Sequence, residues 1–177
     1  MTKSDLRQQV RALKHACPVP ERQRLSLQLQ QRILDHPRWH QAHSVVLYHA
    51  LPDEVDTTLL LGTALEQHKE VLLPVVRDED LLLLPFTGFD SLREGAFHIM
   101  EPEGGAGDAT PVSGADLIVV PGMAFTADGR RLGRGRGYYD RLLVRLEGYR
   151  MGLCWPFCLL PDIPGEPHDI PVDEVIS

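Results

Sequence analysis

The sequence is poor in cysteine, has no long apolar run, and carries no excess of positive charge. Of its 177 residues three are cysteine, Cys17, Cys154 and Cys158. The number is odd, and the pair at 154 and 158 has three residues between its members and no second pair to match it. That argues against a disulfide framework and against a zinc site, and suits a reducing compartment. The longest apolar run, Leu81 to Leu84 with its neighbours, is far too short to span a membrane. The polar start Met1-Thr2-Lys3-Ser4-Asp5-Leu6-Arg7 lacks the apolar core of a signal peptide. We therefore expect a cytoplasmic protein with no membrane partner. Lys and Arg number 18 against 25 Asp and Glu, a net charge of −7. A general nucleic-acid binder is usually basic, so no nucleic-acid partner is expected. Two familiar phosphate-binding patterns are also missing: the Gly-Lys-Ser/Thr of a Walker A loop and the Gly-x-Gly-x-x-Gly of a dinucleotide site. The eight histidines show no metal spacing such as His-x-x-x-His with a glutamate, and there is no internal repeat or low-complexity tract.

What is present is ordinary soluble composition, 43% hydrophobic and 24% charged, at a length that suits one domain over residues 1–177. Leu6, Val10 and Leu13 recur at helical spacing, so residues 3–16 read as a helix, with Lys3, Arg7, Arg11 and Lys14 on other faces and Pro18 and Pro20 as its stop. A second helix is expected from Glu21 to His36, ending before Pro37, and a third from Thr57 to His68, capped by Asp56 or Thr57. Helical character returns at Tyr138–Leu146. Short apolar runs at 44–48, 70–75, 81–85, 116–120, 150–155 and 173–176 read as strands. Between Phe86 and Thr110 the pattern weakens to irregular chain with one short strand near Phe97–Met100, and Gly104–Gly107 reads as a flexible loop. Pro156–Pro171 is a proline-rich loop. Strands alternating with helices predict an α/β fold with a largely parallel sheet, whose ligands bind at the carboxyl ends of strands.

One loop leaves such an end. Val119-Val120-Pro121-Gly122 closes a buried strand, and Arg131-Leu132-Gly133-Arg134-Gly135-Arg136-Gly137-Tyr138-Tyr139-Asp140 leads into a helix. Glycines at 133, 135 and 137 allow positive φ and close approach of a ligand. Arg134 and Arg136 add planar, permanently charged donors suited to phosphate oxygens, and the helix start aims its dipole at the same place. A flexible turn with solvated arginines is the plainer alternative. An RNA-binding Arg/Gly element does not fit, since it normally repeats along disordered chain. Asp140 either complements the helix dipole or ligates Mg²⁺ beside phosphates. Asp169 either caps a loop or is the second carboxylate. Lys3 and Arg7 lie one helical turn apart and can reach one anion, or form a solvated face. Glu54 follows a buried strand in a loop, where it faces solvent or accepts from a polar heterocycle.

The Arg131–Asp140 run closely resembles the signature of the 5-formyltetrahydrofolate cyclo-ligase family. Weaker blocks occur in the family's order: Lys3 and Arg7, Tyr48 to Asp56, Leu72-Leu73-Pro74, Glu101-Pro102, Glu166-Pro167-His168-Asp169 and Val172-Asp173. The resemblance implies a three-layer α/β/α fold similar to the sugar-phosphate isomerase and CoA-transferase group. It implies ATP-dependent closure of 5-formyltetrahydrofolate, with or without further glutamates on its tail, to 5,10-methenyltetrahydrofolate. ADP and phosphate are released, Mg²⁺ serves as cofactor, and the protein is a monomer. By position, Lys3, Arg7 and Arg131, Leu132, Gly133, Arg134, Gly135, Arg136, Gly137, Tyr138 and Tyr139 would hold ATP. Asp140 and Asp169 would hold the metal. Tyr48, His49 and Glu54 would line the folate pocket, and Arg134 to Tyr138 would lie between the two substrates. Arg136, Arg134 and Tyr138 are the candidate catalytic residues, with Arg136 on the transferring phosphoryl group. Two departures stand out: Arg136 where many relatives have Lys, and Cys158 where Gln is common. A phosphosugar isomerase-like enzyme and a non-catalytic nucleotide- or folate-binding module are the rival readings.

Overall fold

The structure, a computed structural model, describes residues 1–104, 106–109 and 113–177. Gly105, in the segment expected to be flexible, lies outside the described residues. Six strands form the central sheet in the order β10-β9-β6-β1-β2-β3. They are β1 (Ser44–Val46), β2 (Glu70–Arg77), β3 (Asp80–Pro85), β6 (Gly114–Pro121), β9 (Glu147–Leu153) and β10 (Glu174–Ile176). All neighbouring pairs are parallel except β2 with β3, an antiparallel hairpin. The expected parallel sheet is there, with one antiparallel edge. Val45 and Val46, and Leu117 through Val120, are consecutive buried residues. Such unbroken runs belong to strands covered on both faces, and helices flank this sheet in a three-layer α/β/α arrangement. No helix among the described residues is long and apolar enough to cross a membrane.

The helices are α1 (Lys3–Ala16), α2 (Val19–Leu34), α3 (Pro37–Gln41), α4 (Thr58–Glu66) and α5 (Tyr138–Arg145). Thr2 opens α1 with a capping box: its hydroxyl accepts from the Asp5 N–H at 3.2 Å, and the Asp5 carboxylate accepts from the Thr2 N–H at 2.8 Å. This fixes the first turn, which carries Lys3. Pro20 does not mark the end of α1. It lies in the first turn of α2, where a missing N–H leaves no hydrogen bond unmade. Pro37 likewise starts α3, a short helix that the sequence pattern hides behind an expected stop. Thr57 holds the cap position of α4 without a side-chain cap bond; Asp56 accepts from the Thr58 N–H at 3.1 Å, and the Gln30 side-chain carbonyl oxygen accepts from the Leu59 and Leu60 N–H groups at 2.9 and 3.2 Å. The Thr57 hydroxyl instead donates to the Tyr48 carbonyl at 2.5 Å.

Two small hairpins complete the fold. β4 (Leu92–Glu94) pairs antiparallel with β5 (Met100–Pro102) across a tight turn at Ala96–His98, in which Phe97 and His98 have positive φ. The segment expected to hold one strand near Phe97–Met100 is therefore two strands with their turn at Phe97. β7 (Ala124–Phe125) pairs with β8 (Arg131–Leu132) inside the glycine loop itself. Phe125 is fully buried there, wedged between Gly122 and Gly152 so closely that a Cβ on either would strike its ring. This packing roots the loop in the core.

Candidate functional site

In the strand order, β1 runs on to β2 on one side, while β6 lies on its other side and leads away through β9 to β10. The connections therefore reverse direction between β1 and β6, which opens a crevice at the carboxyl ends of those two strands. A cleft of about 440 Å³ occupies that place. The chain after β1 gives it Tyr48, His49 and Glu54; the chain after β6 gives it Pro121–Met123, Arg131 and Gly133–Asp140. Lys3 and Arg7 enter from α1, Glu166, His168 and Asp169 from the proline-rich loop, and Phe97, Ile99 and Glu101 from the β4–β5 hairpin. Every candidate site residue lines this cleft except Leu132. That side chain is fully buried beneath the loop, where its carbonyl accepts from the Met123 N–H at 2.8 Å.

The glycine loop needs its glycines. Gly135 has φ +102° and Gly137 φ +69°, and Gly137 forms the cap of α5 in the left-handed region. A Cβ on Gly135 would point at the Arg7 guanidinium, 3.5 Å away, whose Nε donates to the Gly133 carbonyl at 2.8 Å. Arg7 thus ties α1 to the loop. Arg131 is buried and pairs with Asp140 at 2.8 Å, while its Nε has no hydrogen-bond partner among the described residues. The other Asp140 oxygen accepts from the Ile170 N–H at 3.3 Å, which brings the start of α5 against the segment bearing Asp169. Arg136 extends over the face of Phe97, 4.6 Å from guanidinium carbon to ring centre.

At the α1 end, Lys3 donates to Glu166 at 2.5 Å and to Asp169 at 2.7 Å. Burial opposes the Lys3 charge, yet the bonds to Asp169 and Glu166 outweigh it and hold its pKa above the ordinary lysine value. Asp169 is likewise penalised by burial, but its bonds to Lys3 and to the Glu166 N–H hold it below the ordinary carboxylate value. Ligand atoms of Glu166, His168 and Asp169 all lie within 4.8 Å of one another. Asp140 is not part of that group, being joined to the same segment through the Ile170 N–H, and this corner offers carboxylate oxygens on the rim of a basic, glycine-lined cleft. Mg²⁺ takes that kind of donor set, one or two carboxylates completed by phosphate and water. The residues present fit such an ion.

At the other end, Glu54 is nearly enclosed, its side chain 12% exposed. One oxygen accepts from the Leu51 N–H at 3.0 Å, and the other pairs with Arg134 at 3.1 Å. Arg134 also grips Asp53 at 2.6 Å. Its burial is outweighed by the bond to Asp53 and the charge of Glu54, so its pKa rises. Tyr48 is buried and Tyr139 partly buried close by; desolvation first and the Glu54 charge second push both phenols up. His49 is pushed down by burial, with Asp56 opposing. The cleft therefore has a cationic, glycine-lined middle flanked by two acidic corners. Asp53, Glu166, Phe97 and Glu101 join the site without having been given a role from the sequence. Asp53, Glu101 and Glu166 lie within recognised blocks, whereas no sequence spacing marks Phe97 as the partner of Arg136.

The chain is similar to known proteins. The family model described as the 5-formyltetrahydrofolate cyclo-ligase family matches residues 1–177. The 5-formyltetrahydrofolate cyclo-ligase of Mus musculus is 31% identical, covering 98% of this chain and 90% of its own. That of Escherichia coli K12 is also 31% identical, covering 95% of this chain and 96% of its own. The solved structure of 5,10-methenyltetrahydrofolate synthetase from Aquifex aeolicus superposes with a TM-score of 0.87 at 37% identity, covering 99% of this chain and 89% of its own. The synthetase from Mycoplasma pneumoniae, at 20% identity, shares the fold with a TM-score of 0.77.

Proposed function

The chain belongs to the 5-formyltetrahydrofolate cyclo-ligase family, and from that premise we propose how its cleft carries out the family's reaction. The protein is an ATP-dependent ligase that closes 5-formyltetrahydrofolate to 5,10-methenyltetrahydrofolate, with ADP and phosphate as the other products. One observation supports the residue assignments most: Arg134 sits between the enclosed Glu54 corner and the glycine loop in a single cleft. Both substrates of such a reaction must meet in one space.

In our reading Glu54, with Tyr48 and His49, receives the pterin, whose N–H groups are donors matched to a carboxylate. Lys3, Arg7 and the backbone of the glycine loop receive the ATP phosphates. Mg²⁺, held by Asp140 and Asp169 and completed by phosphate oxygens, would neutralise the charge of the triphosphate. The formyl oxygen attacks the γ-phosphorus and ADP leaves, giving an O-phosphorylated N5 iminium. N10 then adds to the iminium carbon and loses its proton. The C–O bond breaks, and phosphate departs with the electron pair. Such transfers depend on positioning and charge stabilisation more than on covalent help from the protein. Arg136, which lines the cleft over the Phe97 ring, is assigned to the transferring phosphoryl group. Arg134 and Tyr138 hold the reacting groups together. Arg136 keeps the charge of the Lys common in relatives but adds a planar fork of donors.

We further assign the whole chain to one domain, working as a monomer in the cytoplasm, with no nucleic-acid or membrane partner. All three cysteines are free, as a reducing compartment would keep them. Substitution Arg136→Ala tests the assignment. Turnover, followed as phosphate released only when folate and ATP are both present, should fall by two orders of magnitude or more, roughly the effect of removing one donor to developing charge. ATP affinity should fall far less. Equal losses in both would remove Arg136 from the reacting centre.

A further inference from the structure

A stripe along α1 runs Lys3, Arg7, Val10, Lys14, at spacings of four, three and four. Its last member is buried, only 5% exposed, although lysine almost never is. The Lys14 amine donates to the Asp53 carbonyl at 2.7 Å and lies 3.9 Å from the Asp53 carboxylate. The ring of Trp155 lies 5.6 Å away. Asp53 in turn holds Arg134, which pairs with Glu54. Charges therefore alternate along one path from the core to the cleft: Lys14, Asp53, Arg134, Glu54.

An apolar side chain of similar length would fill the same place beside Trp155, Cys154 and Cys158. Removing one partner of a buried pair is costly when it strands the other charge in the interior, which is not the case here. Asp53, its carboxylate 40% exposed, would stay hydrated and bound to Arg134. What only a long cation can do is fasten the backbone of the 51–54 turn from behind while opposing the Asp53 charge. That turn carries Glu54 and determines where Arg134 is held.

We propose that Lys14 is a positioning residue for the folate side of the cleft: by anchoring Asp53 it sets the spacing of Glu54 and Arg134. It touches neither substrate. The proposal rests on the assignment of Glu54 to the folate. It predicts an effect that falls chiefly on one substrate, because the phosphate-facing residues Arg7 and Lys3 lie about two and three turns away on the same helix and do not depend on the 51–54 turn.

Steady-state kinetics with each substrate varied in turn is the test, on the wild-type protein and on Lys14→Met. The variant should keep its thermal midpoint within a few degrees, raise KM for 5-formyltetrahydrofolate by about tenfold or more, and leave KM for ATP within about twofold. Asp53→Asn should raise the same KM, and the double variant should do little more than the worse single one, since both act through one path. Unchanged KM for the folate in Lys14→Met, or parallel rises for both substrates, would overturn the proposal. If Lys14→Met does not fold, Lys14→Gln, which keeps a donor but no charge, decides by the same criteria. An inactive wild-type protein would sink the functional assignment instead, an outcome distinct from any of these.

Discussion

Replacing Glu54 by Gln removes one charge and almost no volume. The side chain is 12% exposed, so what it contacts is protein and, in the assignment above, pterin. The bond from the Leu51 N–H survives, because the Gln carbonyl oxygen can accept it, and Arg134 keeps Asp53 at 2.6 Å. The fold should therefore be nearly unaffected. Binding of the pterin donors changes from charge-assisted to neutral hydrogen bonds. Hydrogen bonds to a charged group contribute about 1.5–3 kcal/mol and neutral ones about 0.5–1.5, so the loss is the difference, about 1–1.5 kcal/mol, which corresponds to roughly a 5–15-fold weaker affinity. The assay is equilibrium binding of 5-formyltetrahydrofolate without ATP, set beside binding of ATP without folate. Folate affinity should fall within that range and ATP affinity should hold. Loss of ATP affinity to the same degree, or no loss of folate affinity, would refute the assignment of Glu54 to the pterin.

Packing and titrating groups give three further expected outcomes. Phe125→Ala empties the wedge between Gly122 and Gly152 and should cost about 3–5 kcal/mol. At roughly 2–4 °C per kcal/mol for a chain of this size, the thermal midpoint should drop by about 6–20 °C; a drop under about 2 °C would mean that the loop is not rooted there. Burial pushes the Cys154 thiol up to about 12 and the Cys158 thiol up to about 11, whereas Cys17 is partly exposed. Alkylation of the native protein near pH 8, counted by mass spectrometry, should therefore mark Cys17 alone, and rapid labelling of either buried thiol would contradict this burial. Asp169 has its pKa depressed in the folded state, so its pairing with Lys3 stabilises above the ordinary carboxyl value near pH 4 and is lost as pH falls below it. The midpoint of Asp169→Asn should lie below wild type at pH 7, with the gap closing as pH drops below about 4; a gap constant with pH would rule out the pairing as its source.

Much of the fold is legible in the residues, and the failures share a physical cause. Strand and helix runs that bury a continuous face, such as Leu117–Val120 and the Leu6–Val10 stripe of α1, announce themselves through hydrophobic pattern. Proline misleads where it starts a helix. Pro20 and Pro37 read as stops, while their fixed φ suits the first turn of α2 and of α3. The two-residue strands β7 and β8 carry too few side chains to show a period, and Phe125 in β7 packs between nearby Gly122 and distant Gly152. Within the site, the glycine loop is legible because its backbone demands are local. The Lys14–Asp53–Arg134 path is not, since it joins residues 39 and 81 positions apart. A trace does exist: Lys14 sits on the same helical stripe as Lys3, Arg7 and the buried Val10, so it does not lie on a solvent face.

The most direct test mixes the purified protein with 5-formyltetrahydrofolate, Mg²⁺ and ATP, and follows absorbance in the methenyl-folate band against a control without ATP. Growth of that band only when ATP is present, with one ADP formed per methenyl product, is the result predicted here. A flat trace from folded protein that binds both ligands would contradict the account and leave the cleft a binding site without turnover.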